Sequence, residues 1–268
     1  MEKYIFTDLA CEISGEKGAK RERLSERIEK ILFYDSVGKT QKEYVTFFAP
    51  KLWLLDDDEF NILKESIAGE LRRFLNKHFD GKSIMRILAV GLGNPRLTTD
   101  SLGAQTVERL RVTPTDVRER GGLMAITPDV SGNTGIETFD SVGAYVDRVR
   151  PNALIVIDSL RARGYERLAS TVQLSDGGIV PGGGVGKGRG RLCEATLGIP
   201  IISIGVPTVV SASTLVCDVI SRCGGHTDNE SVSSALDGGL ELFVTPKEAD
   251  ILIKCSALLL AEAINLAM

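Results

Sequence analysis

Histidine is nearly absent from this chain: His78 and His226 are the only two in 268 residues, and neither lies near a cluster of cysteines. A zinc site built from His and Cys therefore has little to work with, and a Ser-His-Asp arrangement has no central base at hand. A Cys-His pair through His226 is the one nucleophilic pairing left. The five cysteines, Cys11, Cys193, Cys217, Cys223 and Cys255, are odd in number and contain no CxxC, so reduced thiols are expected. No apolar run approaches the roughly 18–20 residues of a membrane span, and the best candidate, ALLLAEAINLAM, is interrupted by Glu262. The opening MEKYIFTDLACEIS has neither an apolar h-region nor a small-residue cleavage site. A basic excess is missing too, with a net charge of −4 and a pI near 5.4. These absences predict a cytoplasmic protein with no membrane partner and no direct nucleic-acid partner.

What is present is ordinary for a soluble globular chain, 43% apolar and 25% charged. The first 80 or so residues differ from the rest. KGAKRERLSERIEK reads as a charged, exposed helix, ILFYDS and EYVTFFA as two strands around a polar turn. DDDEFNILKESIAGELRRFLNKHF carries Phe60, Ile62, Leu63, Ile67, Leu71 and Phe74 at helical spacing. Its leading acids suit a helix N-terminus better than a metal. From residue 84 short apolar runs alternate with helical stretches. IMRILAVGLG, LIVIDS and IPIISIGV read as buried strands. DSLGAQTVERLR, GIETFDSVGAYVDRVR, TVVSASTLVCDVISRC and KEADILIKCSALLLAEAINLAM read as helices. The alternation predicts an α/β fold, a three-layer core with a mainly parallel sheet flanked by helices, plus an N-terminal β-hairpin and helix elaboration. With no repeat and no linker, residues 1–268 are read as a single domain, with the elaboration over 1–80 and the core over 84–268.

The loops after buried strands are where such sheets keep their chemistry. GLGNPR has Arg96 where a dinucleotide fingerprint needs its third glycine. GGGVGKGRG misses the phosphate loop twice, at Pro181 and Gly188. Carboxylates remain. Asp100 follows the first strand, and Asp158 closes the second. On parallel neighbouring strands both emerge at one edge of the sheet. Two acids brought close cannot both ionise comfortably, so one keeps a proton, the state needed to activate water and protonate a leaving amine. The competing reading gives Asp100 to helix capping and Asp158 to the turn after its strand. Arg161 is within reach of Asp158 along the chain. Asp129, Glu137, Asp140 and Asp176 compete for the same roles, and spacing does not rank them.

The stretches VGLGN…TDSLG, NTGIET, VIDSLRAR, QLSDGGIVPGGGVG, TLGIP and ISIGVPTVV, in this order over residues 84–210, resemble the germination protease family of endospore-forming bacteria. TDLACE resembles the family's self-cleavage segment. The resemblance implies an acid-dependent endopeptidase that degrades small acid-soluble spore proteins in the spore core. It also implies a self-processing zymogen with a short propeptide-like segment 1–8 and a tetrameric homo-oligomer; the residues themselves point to no cofactor and no metal. It places the family's two essential aspartates at Asp100 and Asp158, and processing between Asp8 and Leu9. Gly182, Gly183, Gly184 and Gly186, with Lys187, Arg189 and Arg191, would form a substrate-binding loop suited to an acidic peptide; as a plain sequence feature, the loop is equally a solvated turn. Departures from the family pattern are Thr99, Arg161, Gly164 and Val180. A peptide-binding relative without activity is the alternative. GLGNP is also similar to the opening of peptidyl-tRNA hydrolases, and the GxGN loop to hydrogenase maturation endopeptidases. Both of those use a histidine, and here none follows the motif before His226.

Overall fold

The computed structural model describes residues 6–13, 18–37, 40–79, 85–114, 121–181, 190–224 and 242–268. Among them one sheet of nine strands carries the molecule. The strands are β1 (Lys20–Arg23), β2 (Glu29–Val37), β3 (Thr40–Phe48), β4 (Arg86–Gly91), β5 (Gly122–Ile126), β6 (Ala153–Ala162), β7 (Thr171–Ser175), β8 (Ile201–Ser211) and β9 (Phe243–Val244). The α-helices are α1 (Ala10–Ile13), α2 (Asp57–His78), α3 (Leu102–Val107), α4 (Ser131–Thr134), α5 (Thr138–Val149), α6 (Glu194–Leu197), α7 (Ala212–Arg222) and α8 (Ala249–Ala267), with 3-10 turns at Leu52–Leu54, Thr98–Asp100 and Tyr165–Arg167. The sheet runs β1-β2-β3-β7-β8-β6-β4-β5, with β9 paired to β8.

Two halves meet at β8. β5, β4, β6 and β8 run parallel to one another, whereas β1, β2, β3 and β7 join antiparallel, as β7 and β9 do to β8. The architecture is thus the expected α/β one, but the sheet is mixed and not mainly parallel: among the described strands three pairs run parallel and five antiparallel, because the N-terminal hairpin extends the same sheet. The N-terminal hairpin continues the sheet directly, through β3 on β7.

Alternation along the strands builds the layers. Ile87 and Ala89 of β4, Ile155 and Ile157 of β6, and Val45 and Phe47 of β3 face one side. There they meet Leu63, Ile67, Leu71 and Phe74 of α2, Leu102 of α3, and Ile253, Leu260 and Ile264 of α8. Leu88, Val90, Leu154 and Val156 face the other side, against Val142 and Val146 of α5. Each fully buried aliphatic or Phe side chain contributes about 1.5–3 kcal/mol, so both faces are needed to hold the sheet. α2 starts where the sequence says it should: the Asp56 carboxylate accepts the Glu59 N–H at 2.9 Å, with three acids in the first turn.

Three readings of the sequence are corrected. KGAKRERLSERIEK contains β1, not a helix, because Arg21 and Glu22 lie cross-strand from Ile31 and Lys30 of β2 and pair with Glu29 and Lys30. TVVS belongs to β8, which runs on to Ser211 before α7 begins. β6 likewise continues through IDSLRA, so Asp158 sits within a strand and not at its end. β5 and β7 carry no long apolar run and went unassigned.

Candidate active site

The parallel register of β4 and β6 fixes one acid. Gly91, the last residue of β4, pairs with Ile157, and the Leu92 N–H donates to the Ile157 carbonyl at 2.8 Å. The next residue of β6 is Asp158, beside the point where β4 stops. Strand alternation sends Asp158 to the face of Leu154 and Val156. It is 8% exposed. Its Oδ1 accepts its neighbour Ser159's N–H at 2.8 Å. No turn follows for it to hold, since the strand goes on.

The loop after β4 fixes the other acid. Gly93 has φ +98°, and a Cβ there would meet the Asp100 carbonyl oxygen at 2.0 Å and its Oδ1 at 2.8 Å. Only glycine lets the loop fold back over Asp100 in this way. The Asn94 N–H then donates to Asp100 Oδ2 at 2.7 Å. Asn133, from the NTG stretch, donates through its side chain to Asn94 Oδ1 at 3.2 Å and to Asp129 Oδ1 at 2.9 Å. Thr208 of β8 donates its hydroxyl to the Thr99 carbonyl at 2.7 Å. Asp100 thus closes a 3-10 turn, Thr98–Asp100, and accepts from the loop behind it; the N-cap position of α3 falls to Ser101, whose hydroxyl donates back to the Thr98 carbonyl at 2.8 Å and does not cap the helix. The capping reading of Asp100 does not hold.

Asp100 and Asp158 line one cleft of about 610 Å³, together with Asp8, Arg161, Gln173 and Gly205. Burial pushes the Asp100 carboxyl above its ordinary value, opposed by the Asn94 N–H and reinforced by the charge of Asp129. Burial pushes Asp158 well above, with the charges of Asp100 and Asp8 adding to it and the Ser159 N–H opposing. Both carboxyls are thus raised, Asp158 further than Asp100, and the charge of Asp100 acts on Asp158.

The segment Thr7–Glu12 is seated along this cleft. The Asp8 N–H donates to the Arg161 carbonyl at 2.9 Å, and the Arg161 N–H donates to Asp8 Oδ2 at 2.8 Å. Arg161 Nε lies 3.7 Å from the same carboxylate oxygen. The sequence offered Arg161 to Asp158, but its ion pair is with Asp8. A bulge between Leu160 and Arg161 shifts the β6 register there. Gln173 Nε2 donates to the Asp8 carbonyl at 3.2 Å, and Gln173 Oε1 accepts the Ala10 N–H at 2.8 Å. Leu9 is fully buried, in a cluster with Phe33, Leu160 and Val210, a burial that contributes about 1.5–3 kcal/mol. Glu12 accepts the N–H groups of Arg163 and Gly164 at 2.7 and 3.0 Å.

A family model described as germination protease matches residues 27–237. The chain belongs to the germination protease family. A germination protease of Caldanaerobacter subterraneus subsp. tengcongensis is 38% identical over 95% of this chain and 86% of that protein. One from a Geobacillus species is 35% identical, over 98% of this chain and 93% of its own length. One from Clostridium acetobutylicum is 33% identical over 87% and 80%. As a member of this family the chain is a peptidase.

Within this germination protease family member, the competing acids disperse. Glu137 and Asp140 are exposed on and beside α5. Asp129 has φ +63°, and the Asn133 side chain, with the Val130 N–H behind it, lowers its pKa. Asp176 accepts the Glu43 N–H at 2.8 Å and does not line the cleft. The expected loop residues Gly182, Gly183, Gly184, Gly186, Lys187 and Arg189 lie outside the described residues, as does His226. Arg191, beyond the loop, lines the cleft and donates to the Gly177 carbonyl at 2.7 Å. Among the described residues no group of three or more His, Cys, Asp or Glu could hold a metal, and no helix is long and apolar enough to cross a membrane. Gln173 is the residue that sequence reasoning passed over. Its only signal was a place in QLSDGG, a stretch that carried the resemblance without a role.

Proposed function

We propose that this chain is an endopeptidase in which Asp100 and Asp158 divide one proton, cutting first its own Asp8–Leu9 bond and then small acid-soluble spore proteins in the spore core. The observation that carries this reading is the shared cleft: Asp100 and Asp8 both line it beside Asp158, near enough for the charge of each to raise Asp158. Asp158, the more deeply buried, keeps its proton to the higher pH and serves as the acid. Asp100 ionises first and serves as the base. A water held between them gives a proton to Asp100 as its oxygen bonds to the Asp8 carbonyl carbon. Asp158 then protonates the Leu9 nitrogen as the C–N bond breaks. The arrangement around Asp8 suits an acidic residue before the cut, because Arg161 meets that carboxylate with both its N–H and its guanidinium. Leu9 would fill an apolar subsite after it. In this reading the uncut segment covers the acids, and its removal opens the cleft to other chains.

Asp100→Asn and Asp158→Asn should each slow self-processing by at least about 10³-fold while leaving the fold intact. Mass spectrometry of the N-terminus against time, with circular dichroism on the same samples, measures both. A folded variant that still exposes Leu9 as its first residue at a near-normal rate would end the paired-acid reading.

A further inference from the structure

The sheet register sets up a slot that the two aspartates alone do not explain. Asp158 of β6 pairs with Gly205 of β8, and Gly205 pairs in turn with Gln173 of β7. Laterally paired residues project to the same face, so Asp158 and Gln173 stand on either side of a glycine, about 10 Å apart at two strand spacings. Gly205 has no room for a side chain: a Cβ would meet Leu160 Cγ at 2.7 Å and the Asp158 carbonyl oxygen at 2.8 Å. The peptide running from Asp8 to Ala10 is held at this row by Gln173, itself buried.

The Gln173 amide is oriented by its two partners. The Ala10 N–H can only donate, so it must meet Oε1, and the Asp8 carbonyl can only accept, so it must meet Nε2. That carbonyl belongs to the Asp8–Leu9 bond. At 3.2 Å the contact is at the long end for a neutral carbonyl acceptor, the kind that tightens as negative charge grows on the oxygen.

We propose that Gln173 is a further catalytic residue, whose side-chain N–H stabilises the charge developing on the carbonyl oxygen of the bond being cut. The inference rests on the paired-acid reading. As the water oxygen bonds to the Asp8 carbonyl carbon, the C=O π pair moves onto the Asp8 oxygen, and the water proton goes to Asp100. Gln173 donates a hydrogen bond to that oxygen and transfers no proton. When the oxygen's pair returns to form C=O, the C–N pair leaves with the Leu9 nitrogen, which takes the Asp158 proton. The proton on Asp100 then passes to Asp158 for the next turnover. One water is consumed, and a carboxyl end and an amine end are made. On another chain the same amide would meet the carbonyl before the cut and, through Oε1, the N–H two residues on, reading backbone and not sequence.

The test uses the full chain and Gln173→Met, which keeps length and volume and removes the polar group. Self-cleavage should slow by about 10²–10³-fold, the cost of losing one such donor, with the melting temperature little changed. With processed enzyme and a peptide of residues 6–12, kcat should fall by a similar factor while KM rises no more than about fivefold. A folded variant whose kcat stays within about threefold overturns the assignment, and so does a loss confined to KM, which would make Gln173 a positioning residue. If Gln173→Met does not melt cooperatively, Gln173→Asn is measured instead: it keeps the amide but draws it back by one methylene, and at least about a tenfold loss in kcat is expected. Asp158→Asn run alongside separates the two ideas. Should Asp158→Asn cleave normally, the paired acids fail; should it be dead while Gln173→Met works normally, only Gln173 falls.

Discussion

Two regions of this molecule bury carboxylates, and they do so to opposite ends. Glu43 on β3 is 2% exposed, and its carboxylate meets Arg73 at 2.5 Å and Lys77 as well, both from α2. Glu70, on the same stripe of α2, joins Arg73 at 2.6 Å and Lys30 of β2 at 2.7 Å. This network fastens a helix to the antiparallel half of the sheet. At the parallel half, Asp158 is buried nearly as deeply, but the charges that raise its pKa are those of Asp100 and Asp8. Burial is common to both. What differs is the sign of the neighbour: cations hold Glu43 as an anion in a fastening, whereas acids make ionised Asp158 costly and keep a proton available.

The contrast breaks most visibly in the pH dependence of cleavage. In the proposed mechanism Asp100 is ionised and Asp158 protonated, so kcat should trace a bell with both limbs shifted up from the ordinary carboxyl values, the alkaline limb further than the acid one, falling about tenfold per pH unit outside it. Since the charge of Asp8 raises Asp158, Asp8→Asn should move the alkaline limb of self-processing to lower pH. A rate that stayed flat with rising pH, or a limb that ignored Asp8, would mean that Asp158 is not the acid.

Next in size is the fastening. Glu43→Gln leaves Arg73 and Lys77 facing a buried neutral group. Full burial would put the cost near 3–5 kcal/mol; with both cations over a third exposed, about 2 kcal/mol is expected. Urea unfolding measures it. The variant should still cut itself at close to the wild-type rate, because the network lies away from the cleft. A large loss of activity with unchanged stability would reverse the comparison.

How much of this was legible depends on whether a residue's partners are close in sequence. Asp100 and Asp158 follow apolar runs, and parallel strands bring such positions together at one edge, so sequence logic reached them. The length of β6 was not readable, because the polar cleft-facing Asp158 and Ser159 mimic the end of a strand. β7 was hidden for the same reason. Thr171, Gln173 and Ser175 alternate with Val172 and Leu174, and without a neighbouring strand in view TVQLS looks like a loop. Gln173 acquires meaning only when Asp8 and Ala10, over 160 residues away, are laid against it. Glu43 is equally mute in EYVTFFA, since its cations arrive from a helix built later in the chain. The charged stretch before β2 was misread because its acids and bases suit an exposed helix as well as an edge strand, and only the cross-strand register decides.

The smallest expected effect concerns the cost of keeping Asp158. Its folded pKa is raised, so the folded state holds its proton at pH values where the unfolded chain has released it. Stability from this group is therefore fully present below the unfolded carboxylate pKa and is lost as pH rises through the folded value. Asp158→Asn removes that loss while keeping shape. At acid pH the two chains should melt together. Toward neutral pH the variant should become the more stable by on the order of 1 kcal/mol, or about 2–4 °C at this chain length. The comparison needs a background in which neither chain processes itself, so both proteins carry Asp100→Asn. That change removes one of the charges raising Asp158 and shrinks the gap without changing its sign, because burial is the larger cause. For Glu43→Gln the sign is opposite, a loss at neutral pH where the lost anion had cations to meet. If Asp158→Asn also destabilised at neutral pH, its carboxylate would be serving the fold as Glu43 does, and the distinction between the two buried acids would fail.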